Sequence, residues 1–190
     1  MKNLSYLLIV SLVMLFSCAR DVLNDESVDL KKAGVAVPMK GDVCMTYNYD
    51  VPRMPVAGTP VLNSSGEVVI PKLYLSGAAW LAGHATHMGE FIEGQSYMTG
   101  VSAELDMIAL SKGKIVLVAE YEALLTGDNG DHINLTSHIR IDSTDPSNRI
   151  ITGDWHASSG SGNFEDVTGY GVLDGILPCW GFDGTIEYSK

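Results

Sequence analysis

Basic residues are scarce: 12 Lys and Arg stand against 23 Asp and Glu, for a net charge of −11. Spread along the chain rather than clustered, that excess argues against nucleic acid and anionic headgroups as partners. Solubility is sufficient reason for it. Long apolar runs are equally rare. The one that exists, Leu4 to Phe16, is too short to span a bilayer as a helix, and no later stretch is a second candidate. Catalytic signatures are missing too. There is no Gly-x-Ser-x-Gly elbow, and Gly160-Ser161-Gly162 lacks the lysine and the strand-to-helix setting of a phosphate loop. No repeat of fixed period and no low-complexity segment is present.

What is there begins with a leader. Lys2 precedes the apolar run, which ends in Leu15-Phe16-Ser17-Cys18, so residues 1–17 read as a cleaved signal. Leu-Phe-Ser-Cys resembles the lipobox of bacterial lipoproteins, in which the cysteine is acylated and becomes the first mature residue. The resemblance implies that Cys18 is a lipid anchor, and Ala19 in place of an aspartate implies the outer membrane, on its periplasmic or cell-surface side. The other reading is an ordinary cleaved signal with an incidental cysteine. Acyl chains contribute roughly 0.8 kcal/mol per buried methylene, enough to hold the protein on the membrane. Residues 18–38 lack a strand period and read as a tether. Residues 39–190, about 150 residues, suit a single domain.

That domain reads as all-β, because alternating segments succeed one another across turn residues. Gly41 to Asp50 puts Val43, Met45, Tyr47 and Tyr49 on one face. The prolines of the segment from Val51 to Pro60 make it a loop or an edge. Lys72 to Leu81 and Gly83 to Glu93 are further strands, with a bend at Ala82-Gly83. Gln95 to Met107 places Tyr97, Thr99, Val101, Ala103, Leu105 and Met107 together. Lys114 to Thr126 sets Ala119, Tyr121 and Leu125 against Glu120 and Glu122. Asn129-Gly130 predicts a two-residue type I′ hairpin, and His132 to Ile141 follows with Ile133, Leu135, Ile139 and Ile141 on its buried face. Ile150 to Tyr188 supplies the closing hairpins. Eight or nine antiparallel strands hide their edges either as a closed barrel of about eight strands or as a β-sandwich.

Cys44 and Cys179 fall in the first and last strands, which become neighbours if a barrel closes. An oxidising compartment permits the pairing, and a Cys44–Cys179 disulfide is therefore expected. Two buried thiols are the alternative.

Gly83-His84-Ala85-Thr86-His87-Met88-Gly89-Glu90-Phe91 and Ser159-Gly160-Ser161-Gly162-Asn163-Phe164-Glu165-Asp166-Val167-Thr168-Gly169-Tyr170-Gly171 together resemble exported bacterial proteins of largely unknown function. The second motif is similar to one that recurs in the allene oxide cyclase and dirigent group of eight-stranded barrels. The resemblance covers about a third of the mature chain and implies a closed barrel. Plant members of the group bind or turn over apolar substrates in the barrel cavity, but no position here matches their catalytic residues. Physically, Gly160 and Gly162 allow a sharp bend, Phe164 and Val167 plug one barrel end, and Gly169 and Gly171 restart a strand where side chains would crowd.

Chemistry-bearing residues are weighed against simpler roles. His84 and His87, three apart on a strand, point to opposite faces, and His132 and His138 are about 20 Å apart at roughly 3.4 Å per residue. No metal and no cofactor is expected. Asp128-Asn129-Gly130-Asp131 has Ile139 where a calcium loop needs a bidentate glutamate. Glu120 and Glu122, about 7 Å apart on one strand face, have glycosidase-like spacing but an exposed, convex setting. Asp142-Ser143-Thr144 matches a short glycosylation pattern of exported proteins, or is an ordinary turn. Asp174 shares a face with Tyr170, Val172 and Ile176, so it either points outward or lies inside the barrel as the one weak catalytic candidate. Trp80, Trp155 and Trp180, with Tyr47, Tyr97 and Tyr121, either line a ligand cavity or form core.

The expectation is a lipid-anchored, non-catalytic outer-membrane barrel that binds a small apolar ligand or a partner at its mouth. One alternative is a cyclase or isomerase-like enzyme acting on an apolar substrate in the cavity, and another is a structural or adhesive surface lipoprotein. The sequence leaves the oligomeric state open.

Overall fold

Alternation of apolar and polar side chains continues through most of the chain, and the strands it produces close on one another. The computed structural model describes residues 34–50, 54–57, 61–69, 72–75 and 77–188. Cys18, the leader and most of the tether lie outside the described residues. The strands are β1 (Ala36–Tyr47), β2 (Met54–Ala57), β3 (Val61–Leu62), β4 (Val68–Val69), β5 (Lys72–Leu75), β6 (Ala78–Ala85), β7 (Gly89–Glu90) and β8 (Tyr97–Leu105). A one-turn helix α1 (Met107–Ser111) precedes β9 (Val116–Thr126), β10 (His132–Asp142), β11 (Ile150–Gly160), β12 (Val167–Ile176) and β13 (Cys179–Tyr188).

Eight of these strands form a closed ring in the order β8, β9, β10, β11, β12, β13, β1, β6, with β6 returning to β8. Every neighbouring pair is antiparallel. Closure removes the edges that a sandwich would leave, and the ring resolves the two architectures open in the sequence. Its thinnest seam is between β6 and β8, where only Ala78, Ala79 and Trp80 pair, opposite Thr99, Met98 and Tyr97. β2 and β5 attach outside the ring, β2 pairing in parallel with β8.

β1 starts earlier than expected and includes Ala36 to Pro38 from the supposed tether, because Val37 and Met39 extend the inward row that Val43 continues. The two strands expected on either side of Ala82-Gly83 are one strand, β6, which continues through Gly83 at a φ of +144° and stops at Ala85. The Asn129-Gly130 connection also differs. Only Gly130 takes a positive φ, and its amide donates to the Gly127 carbonyl at 2.9 Å while the Gly127 amide reaches Asp131. It is therefore a longer glycine-closed loop rather than a two-residue type I′ turn.

One end of the barrel is sealed. After β11 the chain makes a 3₁₀ turn, Gly162–Phe164, which drops Phe164 onto the end of the interior, where Phe164, Val167, Ile133 and Ile186 are fully buried. The opposite end carries the Cys44–Cys179 disulfide, whose residues are direct register partners on β1 and β13 with Cα atoms 4.0 Å apart.

Candidate functional site

The interior is the natural place to look for a site, and strand alternation decides what enters it. β11 sends in Ile151, Trp155 and Ala157, and β13 sends in Trp180, Phe182, Ile186 and Tyr188. β12 between them sends in Val167 and Leu173, and otherwise only glycines. This glycine stripe is what the Thr-Gly-x-Gly motif encodes. Gly171 and Gly184 are register partners, and a Cβ on either would come within 2.6 Å of the Trp155 ring. Trp155 therefore lies flat on bare backbone, with Phe182 edge-on at 6.2 Å. Its indole nitrogen is buried with no hydrogen-bond partner among the described residues.

Two voids remain in this packing. One of about 40 Å³ is lined by Leu81, Leu125, Leu135, Trp155, Leu173 and Phe182 among others. The second, of about 70 Å³, lies toward the unsealed end and is walled by Met45, Leu117, Ile141 and Leu177, with Tyr47 and Arg149 at its polar rim. Tyr121 and Trp180 border both. An apolar cavity of about 150 Å³ binds benzene, and each void is well below that size.

Of the aromatic residues proposed to line a cavity, Tyr47, Tyr121, Trp155 and Trp180 do so. Tyr97 does not: it is 41% exposed on the outer face, edge-on to Trp80, which is equally exposed. The cause is a register shift in β8 between Gly100 and Ser102, a bulge that reverses the alternation. Before it Met98 points inward; after it Ala103 and Leu105 do, so the single face drawn from Tyr97 to Met107 does not exist. Asp174 takes the outward alternative. It is exposed beside Tyr170, Val172 and Ile176 while Leu173 fills the interior, and so no carboxylate enters the barrel from β12.

Arg149 was not anticipated. It sits at the β10 to β11 connection, half-buried, and donates to the Tyr47 hydroxyl at 3.5 Å. No carboxylate lies within ion-pair reach of it among the described residues. Burial foremost, and then the neighbouring Tyr47, push the Tyr121 phenol up to about 12.

The remaining polar groups have local employment. His87 contacts the Pro38 carbonyl at 3.1 Å, and His84 lies 4.0 Å from Asp42. His132 meets the Ser161 hydroxyl at 2.8 Å beside the sealed end. Asp142 caps the turn before β11, where the Thr144 hydroxyl and amide hold its carboxyl below the usual range. Ser143 is half-buried beside the larger void. Asp106 caps α1 through the Ala109 amide and pairs with Arg140 at 2.6 Å, in that order lowering its pKa. Among the described residues no helix is long and apolar enough to cross a membrane. No family model, no curated protein and no solved structure matches the chain.

Proposed function

We propose that the chain is a lipid-anchored, non-catalytic barrel of the outer membrane that takes a small amphipathic ligand at its open end. A carboxylate on the ligand pairs with Arg149, and a short apolar tail enters the recess bounded by Leu117, Ile141 and Leu177. The observation that carries this reading is the half-buried guanidinium of Arg149, unmatched by a carboxylate among the described residues, at the rim of an otherwise apolar void. In a chain of net charge −11, a cation left without an acidic neighbour is a poor use of the interior unless an anion completes it. The anchor rests on Cys18 in its lipobox-like setting, and the choice of an apolar ligand draws on the resemblance to the allene oxide cyclase and dirigent group.

Two observations weigh against the cyclase or isomerase alternative. The voids are small, and Asp174, the one candidate acid, faces solvent. The densely filled sealed end favours a structural or adhesive role as the second reading.

Titration of the full chain, purified in detergent, with butyrate and butanol followed by NMR separates the two. The binding reading expects shifts at Tyr47, Leu117, Ile141 and Leu177 with butyrate, weaker with butanol and weaker in Arg149→Met. Silence toward both ligands leaves the structural role standing.

A further inference from the structure

The outer wall carries a feature that the interior does not explain. Direct pairing of β10 with β11 sets His138 opposite Asp154, and His156, two residues further along β11, falls on the same outward face. From these positions the His138 Nδ1 atom approaches the Asp154 Oδ1 atom at 3.0 Å, and the His156 Nε2 atom approaches the same oxygen at 3.5 Å. The two imidazole rings stand 6.2 Å apart at an interplanar angle of 71°, and all three ligand atoms lie within 4.8 Å of one another.

We propose that His138, Asp154 and His156 form a binding site for a divalent late first-row transition metal, zinc foremost. Zinc bonds of about 2.0–2.1 Å at the tetrahedral angle place ligand atoms about 3.3 Å apart. Two of the three spacings already bracket that value, and the third, between the imidazole nitrogens, is no more than 4.8 Å. Two imidazoles and one carboxylate are a donor set that suits zinc, copper and nickel rather than calcium or magnesium. Each side chain is a little over half exposed, so water completes the coordination shell and the ion exchanges freely with solvent.

The neighbours in register fit a cation. Glu120 on β9 faces His138 from the far side and adds negative charge. Val172 and Tyr170 on β12 face Asp154 and His156 and bring no competing cation. Arg140, the nearest positive side chain along β10, is held away by Asp106. A cross-strand histidine and aspartate cluster of this exposure contributes little as ion pairs alone, so stability does not account for it.

The test uses the full chain, purified in detergent and stripped with chelator, titrated with zinc against a chromogenic indicator. The expected result is one zinc per chain, with affinity lowered about tenfold or more in His138→Ala, in His156→Ala and in Asp154→Asn, and unchanged in the His84→Ala, His87→Ala double variant. Far-UV circular dichroism and metal-free melting temperatures of the variants should match the parent. Absence of zinc binding, or an affinity that these three substitutions leave untouched, overturns the proposal.

Discussion

Tyr121 enters the barrel from β9 between the two voids, and its phenol is where the interior is most sensitive to pH. Its ordinary value near 10 is pushed up to about 12, by burial first and by Tyr47 second. A group whose pKa is raised on folding stabilises the fold fully below its unfolded value and loses that contribution as pH rises through the folded one. The window is therefore pH 10 to 12, and two pKa units correspond to at most about 2.7 kcal/mol. Burial raises Tyr188 in the same direction, so it acts in the same sense. Urea unfolding at pH 8 and at pH 11.5 should show the parent losing more stability than Tyr121→Phe over that interval. An equal loss would mean that the buried phenol is not the source.

Among the elements, β12 is unusual because its inward face is mostly backbone. Gly169, Gly171 and Gly175 all meet neighbouring strands or their side chains closely, and Gly171 in particular supports the Trp155 ring. Neither the ring, itself 2% exposed, nor the β13 backbone behind it can retreat. Gly171→Ala should cost about 3 kcal/mol, the upper range for overpacking a well-filled core. Gly181 on β13 is the control, because a Cβ there meets nothing closer than 3.7 Å. Gly181→Ala should stay within about 0.5 kcal/mol of the parent. Chemical denaturation of both variants reads the difference. The same stripe explains why the β12 pattern misleads in sequence: Tyr170, Val172 and Ile176 look like a buried face, yet the true inner face is Val167, Leu173 and the glycines between and beyond them. The alternation was legible, but which face turned inward depended on Trp155 from the next strand.

For the molecule as a whole, closure is the event that matters, and the disulfide fastens it. Cys44 and Cys179 are 135 residues apart in sequence and join the first ring strand to the last. A covalent link over so long a loop restricts the unfolded chain, typically by 2–4 kcal/mol. Replacing both cysteines with serine should lower the melting temperature by about 5–15 °C, taking about 2–4 °C per kcal/mol for a protein of this size. The barrel should nevertheless persist, because the backbone pairing of β1 with β13 extends from Ala36 to Cys44. A variant that melts at the parent's temperature would show that the link contributes nothing to closure.

Local alternation is a property of the backbone itself, since successive side chains on a strand must point to opposite faces. For that reason the sequence alone determined the all-β class, the approximate strand number, the buried row Ile133, Leu135, Ile139 and Ile141, the plugging pair Phe164 and Val167, and the placement of both cysteines in terminal strands. Only the tertiary structure decided that the sheet closes, that the β8 bulge turns Tyr97 outward, that Asp174 faces solvent, and that Arg149 reaches the rim beside Tyr47. It alone brought His156 to His138 and Asp154. These outcomes depend on which residue stands opposite which across strands, and that register is set by ring closure and by the volume of side chains such as Trp155, neither of which is carried by any one segment.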